Sequence, residues 1–138
     1  MQSIDLARAQ ALVRQALDMG FEKFSRPICV SVCDAQGFLV AFARADGAPL
    51  RSIQIAHGKA YTCARMGTDT DAFLARLRRD DIQPSYFCDE RLTALPGGAA
   101  LKGEQGELMG GVGISGLTSA EDQVIAHALA ANWREPAR

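Results

Sequence analysis

The chain has 138 residues, with 15 Lys and Arg against 16 Asp and Glu, and 48% of it is apolar. That length suits one domain able to bury a core without staples, and the apolar share excludes a disordered chain. The near-balance of charge excludes an electrostatic surface for nucleic acid or an anionic membrane, and no apolar run approaches the roughly 18 residues needed to span a bilayer.

Ser3 stands where it can cap a first helix, on which Leu6, Ala9, Val13, Ala16 and Leu17 recur at helical spacing until Gly20 ends the pattern. After Pro27, Ile28 to Cys33 reads as a strand with Ile28, Val30 and Val32 on one face. Asp34-Ala35-Gln36-Gly37 has turn chemistry, with Gly37 suited to positive φ, and Phe38 to Ala43 completes a hairpin. A loop over Asp46 to Pro49 leads into a helix over Ser52 to Met66, with Pro49 near its start. Thr70 is placed to cap a short helix carrying Phe73, Leu74 and Leu77.

Gly103, Gln105 and Gly106 mark a turn before a glycine-rich strand, Glu107 to Gly116, whose composition predicts close backbone approach or an irregular edge. Thr118 or Ser119 caps the last helix, with Glu121 or Asp122 completing a capping box and Val124, Ile125, Ala128 and Leu129 forming its buried stripe. The order is α-β-β-α-α-β-β-α. Strands that come as hairpins predict an α+β domain, here placed over residues 1–138, with an antiparallel sheet of about five strands flanked by helices.

The start, Met1 to Asp5, lacks the basic and apolar regions of a secretory signal, so a cytoplasmic protein is expected. Its cysteines, Cys29, Cys33, Cys63 and Cys88, are then free and reduced. Cys29 and Cys33 on one strand lie about 13 Å apart at a rise of roughly 3.3 Å per residue, too far for a disulfide or a shared ion. No structural metal is expected.

Gly111 to Gly116 fits a dinucleotide-binding glycine pattern, but it lies inside a strand close to the chain's end, where packing is the better reading. His57 falls on or beside the apolar face of its helix with Ile53, Ala56, Ala60 and Ala64. It is either a hydrogen-bonded, partly buried histidine or a ligand-contacting group. His127 lies away from its helix's apolar stripe and reads as exposed. Lys59 lines up with Ile55, Thr62 and Met66, and is either solvated or reaching past an apolar wall to a ligand. Tyr61 leaves the same helix on another side. Gly97-Gly98 can present backbone N–H groups to one point, a nest for an anion, or simply turn.

The stretch Val32 to Pro49 (VCDAQGFLVAFARADGAP), its continuation Ser52 to Ala64 (SIQIAHGKAYTCA), Leu95-Pro96-Gly97-Gly98, Gly110 to Gly116 and Asp122 to Ala126 occur in the order of signatures of the GlcG/HbpS-like family, which the chain resembles over residues 3–131. It departs at Ala100, where the family has proline. The resemblance implies a homo-oligomer. Its relatives include haem-binding and haem-degrading proteins, proteins of glycolate operons, and the C-terminal domain of PduO-type corrinoid adenosyltransferases.

Two functions follow as expectations, with a third blander one. The first is binding of haem or another flat, partly apolar small molecule, with His57 as the preferred haem contact and Tyr61, Tyr86 or Cys88 next. The second is a small catabolic enzyme acting on a carboxylate or hydroxy acid. The third is an assembly module without ligand. The first two share one expected pocket, where the His57–Lys59 helix faces Pro96-Gly97-Gly98 and Lys59 and the glycine amides receive ligand carboxylates.

Overall fold

The computed structural model describes residues 2–134. Met1 and residues 135–138 lie outside the described residues. The elements are α1 (Leu6–Phe24), β1 (Cys29–Asp34), β2 (Leu39–Arg44), α2 (Arg51–Met66), α3 (Thr70–Asp80), β3 (Gly98–Lys102), β4 (Leu108–Ser115) and α4 (Ser119–Asn132). A 3-10 turn, Pro84–Phe87, lies between α3 and β3. The expected element order is present, but the sheet has four strands rather than about five, in the order β2-β1-β4-β3 and antiparallel throughout. The segment that follows α3 forms only the short turn and loop before Gly98.

Strand alternation sorts the side chains by size. Toward α1 and α4 point Ile28, Val30, Val32, Ala99, Leu101, Val112 and Ile114, which join Leu12, Ala16, Ile125 and Leu129 in the main core. Toward α2 point Cys29, Ser31, Cys33, Gly98, Gly111 and Gly113, and α2 answers with Ala56, Ala60 and Ala64. Both surfaces lack bulk, so the helix sits very close to the sheet. A Cβ at Gly113 would collide with the Ala56 carbonyl oxygen, and one at Gly111 with that of Ala60. The glycine-rich strand is therefore central rather than an edge. Close backbone approach is its reason, and the approaching element is the chain's own α2.

Three local expectations change. Asp5 caps α1, accepting from the Arg8 amide at 2.8 Å. Ser3 instead accepts from the Ala35 amide at 2.7 Å and donates to the Met109 carbonyl, tying the N-terminal segment to the sheet. Gly20 does not end α1. It lies buried against Ile28, and the helix runs on to a left-handed Ser25. Asp69, not Thr70, precedes α3, because the Thr70 hydroxyl is engaged with Gly98. The capping box of α4 forms as expected between Thr118 and Glu121. No helix among the described residues is long and apolar enough to cross a membrane.

Candidate functional site

Ser31 is the polar residue of β1's α2-facing side, between Cys29 and Cys33. Its Oγ lies 2.7 Å from His57 Nδ1. The imidazole also packs against Phe42 of β2, with ring centroids 4.8 Å apart. Burial disfavours the charged ring and holds the His57 pKa below its usual value. A neutral imidazole with Nδ1 fixed by Ser31 has Nε2 left for another partner.

The ring borders a cavity of about 510 Å³, walled by Leu39, Ile55, Gly58, Tyr61 and Leu92, with Arg91 at its rim. Its size and mixed lining suit a small organic molecule. A larger hollow of about 860 Å³ near Arg8 and Glu104 has no histidine in its lining.

Tyr61 forms the far wall. Its hydroxyl donates to the Asp89 carboxylate and accepts from the Arg91 guanidinium at 2.8 Å. That guanidinium also lies 4.1 Å from the centroid of the Tyr61 ring. Burial and the Asp89 carboxylate raise the phenol's pKa, so Tyr61 is a neutral donor and not a tyrosinate. The Tyr61 bond, the Arg91 amide and the neighbouring arginines lower that of Asp89. Gly37, at φ 92°, turns beneath the Tyr61 ring, where a Cβ would come within 2.9 Å of Cδ2. The 89–93 loop is pinned to α2 by Thr62, whose Oγ1 accepts from the Thr93 amide at 2.9 Å.

Lys59 and the Gly97-Gly98 pair do not line this cavity. Lys59 is 2% exposed. It leaves α2 toward β4, donating to the Ile114 carbonyl at 2.7 Å and to Asp122 at 3.1 Å. Burial lowers the lysine pKa and raises that of Asp122, each opposed by the attraction of the other. The amides of Gly97 and Gly98 do not form an open nest. Gly97 donates to Gln123 Oε1 at 2.6 Å and Gly98 to Thr70 Oγ1 at 2.8 Å. Gln123 returns a bond from Nε2 to the Gly98 carbonyl. These residues form an internal clasp that fixes the start of β3, while His57 and Tyr61 line the cavity.

Sequence reasoning did not single out Ser31, Phe42, Asp89 or Arg91. Ser31 had a usable signal, being the polar residue opposite the Val30 and Val32 face of its strand. Asp89 and Arg91 had none, since only the tertiary fold brings their loop to α2. Tyr86 and Cys88 are exposed and are not among the residues lining this cavity.

Such a domain, an antiparallel sheet between two helical layers with a cavity beside α2, has known relatives. Residues 4–131 match the family described as haem degrading protein HbpS-like, and the chain belongs to that family. It is 31% identical over 128 residues to a 15.0 kDa protein of the dhaT–dhaS intergenic region of Citrobacter freundii, covering 90% of this chain and 87% of that protein. Among solved structures it is similar to a PduOC–haem complex, with a TM-score of 0.82, 28% identity and 94% of each chain covered. A double mutant of HbpS from Streptomyces reticuli superposes with a TM-score of 0.84 at 27% identity, over 95% of this chain and 87% of that one.

Proposed function

We propose that the chain binds haem, or a related flat and partly apolar molecule, in the cavity beside His57. The carrying observation is the His57 ring itself. It is kept neutral by burial, held at Nδ1 by Ser31, and set in the wall of a cavity large enough for an organic ligand. A neutral imidazole nitrogen is what an iron porphyrin takes as an axial ligand. Leu39, Ile55 and Leu92 offer apolar surface to a ring face, and the exposed Arg91 can pair with carboxylates at the rim. The family and the haem-bound relative support the same reading.

Any haem degradation would belong to the bound iron, with these residues excluding water and orienting the ligand. Lys59, Gly97 and Gly98 act behind the site by holding α2 and β3 in place. Free cysteines are in keeping with a cytoplasmic protein. The exposed Phe38, Leu39 and Leu50 offer apolar surface for self-association, which light scattering would test.

The test is a haemin titration followed in the Soret band. Wild type and His127→Ala should give the same shift, and His57→Ala should lose most of it. Equal spectra for wild type and His57→Ala would overturn the assignment. A second reading, an enzyme acting on a carboxylate, is favoured by Arg91 lining the same cavity as the Ser31–His57 contact. It predicts that small hydroxy acids protect Arg91 from modification without any Soret change.

A further inference from the structure

At the start of α3, three ligand-type side chains from two helices converge. Asp69 and Asp71 stand at the start of α3, and His127 on α4 faces them. The Nε2 atom of His127 lies 3.3 Å from Asp69 Oδ2 and 3.3 Å from Asp71 Oδ2. One ligand atom from each of the three residues falls within 4.8 Å of the other two.

These separations are long for hydrogen bonds from a ring nitrogen, which centre near 2.9–3.0 Å. Each imidazole–carboxylate separation matches that of two atoms sharing one ion. Two ligands each roughly 2.0–2.2 Å from a metal at a tetrahedral angle lie roughly 3.3–3.6 Å apart. Each carboxylate is also oriented from behind. Asp69 Oδ1 accepts from the Ala100 amide and Asp71 Oδ1 from the Ala72 amide, both at 2.8 Å, which leaves each Oδ2 turned toward the imidazole. Among the described residues, no lysine or arginine pairs with either carboxylate.

We propose that Asp69, Asp71 and His127 form a binding site for a divalent first-row transition ion. One imidazole nitrogen and two carboxylate oxygens make a donor set suited to zinc, with the exposed side left to water. The site is separate from the His57 cavity and does not depend on it. It joins the start of α3 to α4, and through the Ala100 amide it reaches the β3 edge. No local spacing in the sequence marks it, because Asp69 and His127 come from distant parts of the chain.

The experiment is a calorimetric titration of the full chain, stripped with chelator, with zinc chloride. Wild type, Cys88→Ser and His57→Ala should each bind one ion per chain. Asp71→Asn and His127→Gln should lose affinity by more than about tenfold. All three ligand side chains are partly or well exposed, so the variants should keep the metal-free melting temperature of the wild type. Cobalt should report the same site by a visible absorption band that Asp71→Asn and His127→Gln abolish. Absence of binding at millimolar zinc, or undiminished binding by both Asp71→Asn and His127→Gln, would overturn the proposal. So would loss of the stoichiometric site in Cys88→Ser.

Discussion

Lys59 Nζ lies 3.1 Å from Asp122 Oδ2, with both side chains buried, so α2 and α4 meet through an ion pair at the end of β4. Two charges removed from water need each other. Removing one leaves the other uncompensated, at a cost of about 3–5 kcal/mol. Lys59→Met and Asp122→Leu should each lower the unfolding free energy measured in urea by that order. The double variant should be more stable than the sum of the two losses implies, because no lone buried charge remains. Additive losses would show that the pair is uncoupled. In folded Lys59→Met, ligand affinity should match the wild type, unlike that of a lysine lining the cavity.

The glycines of β4 and α2 should respond oppositely to alanine. At Gly113 a Cβ meets the Ala56 carbonyl and the Ala60 amide nitrogen, both backbone, and α2 must move. Overpacking of this kind costs about 1–3 kcal/mol or more. At Gly58 the nearest atom is Thr93 Cγ2 at 3.5 Å, an ordinary contact. Gly58→Ala should therefore raise stability by up to about 1 kcal/mol through helix propensity. Thermal midpoints of the two variants, moving in opposite directions, are the check.

The depressed pKa of His57 fixes the sign of one pH dependence. Its folded value lies below the ordinary 6.5, so the unfolded chain takes up the proton first as pH falls. The stability owed to the neutral ring is complete above pH 6.5 and is lost as pH drops through the folded pKa. Urea titrations of wild type and His57→Gln should converge or cross toward the wild type's disadvantage below that pH. A difference independent of pH would show that the ring's protonation is not coupled to folding. Ligand binding through Nε2 should weaken in the same acid direction.

Thiol chemistry separates the cysteines. Burial pushes the Cys33 thiol up to about 12 and that of Cys63 well above its ordinary value, whereas Cys88 is exposed. A disulfide reagent should label Cys88 quickly in the native protein and the other three only with denaturant. Rapid native labelling of more than one thiol would contradict the packing of α2 on β1.

The elements were legible in sequence where local chemistry decides them. The β1–β2 hairpin follows from its apolar runs and the Gly37 turn, and α4 from its capping box. The number of strands and the cavity were not legible, because both depend on contacts between distant segments. Lys59 shows the limit most clearly. Helical spacing placed it beside Ile55 and Thr62, which left solvent or ligand as its expected destination. Its partner, Asp122, is a long way along the chain, and nothing local marks that aspartate as buried. His57 is more nearly legible, since its place beside the apolar face is compatible with a partly buried, hydrogen-bonded ring, but its partner Ser31 lies on another element. The Gly97-Gly98 pair has the flexibility an anion nest requires, yet Gln123 and Thr70 supply its partners from within.

The near-contact of α2 with β4 also sets where this scaffold can vary. With the Ala56 and Ala60 carbonyls resting over Gly113 and Gly111, the helix can neither slide nor admit a larger residue beneath it. The floor under His57 is thus a fixed datum. Diversification toward new ligands is channelled to the rim, where the 89–93 loop hangs from Thr62 and the β1–β2 turn folds under Tyr61. A laboratory search for altered selectivity would find its tolerated substitutions at Leu39, Glu90 and Leu92, and almost none along the glycine track.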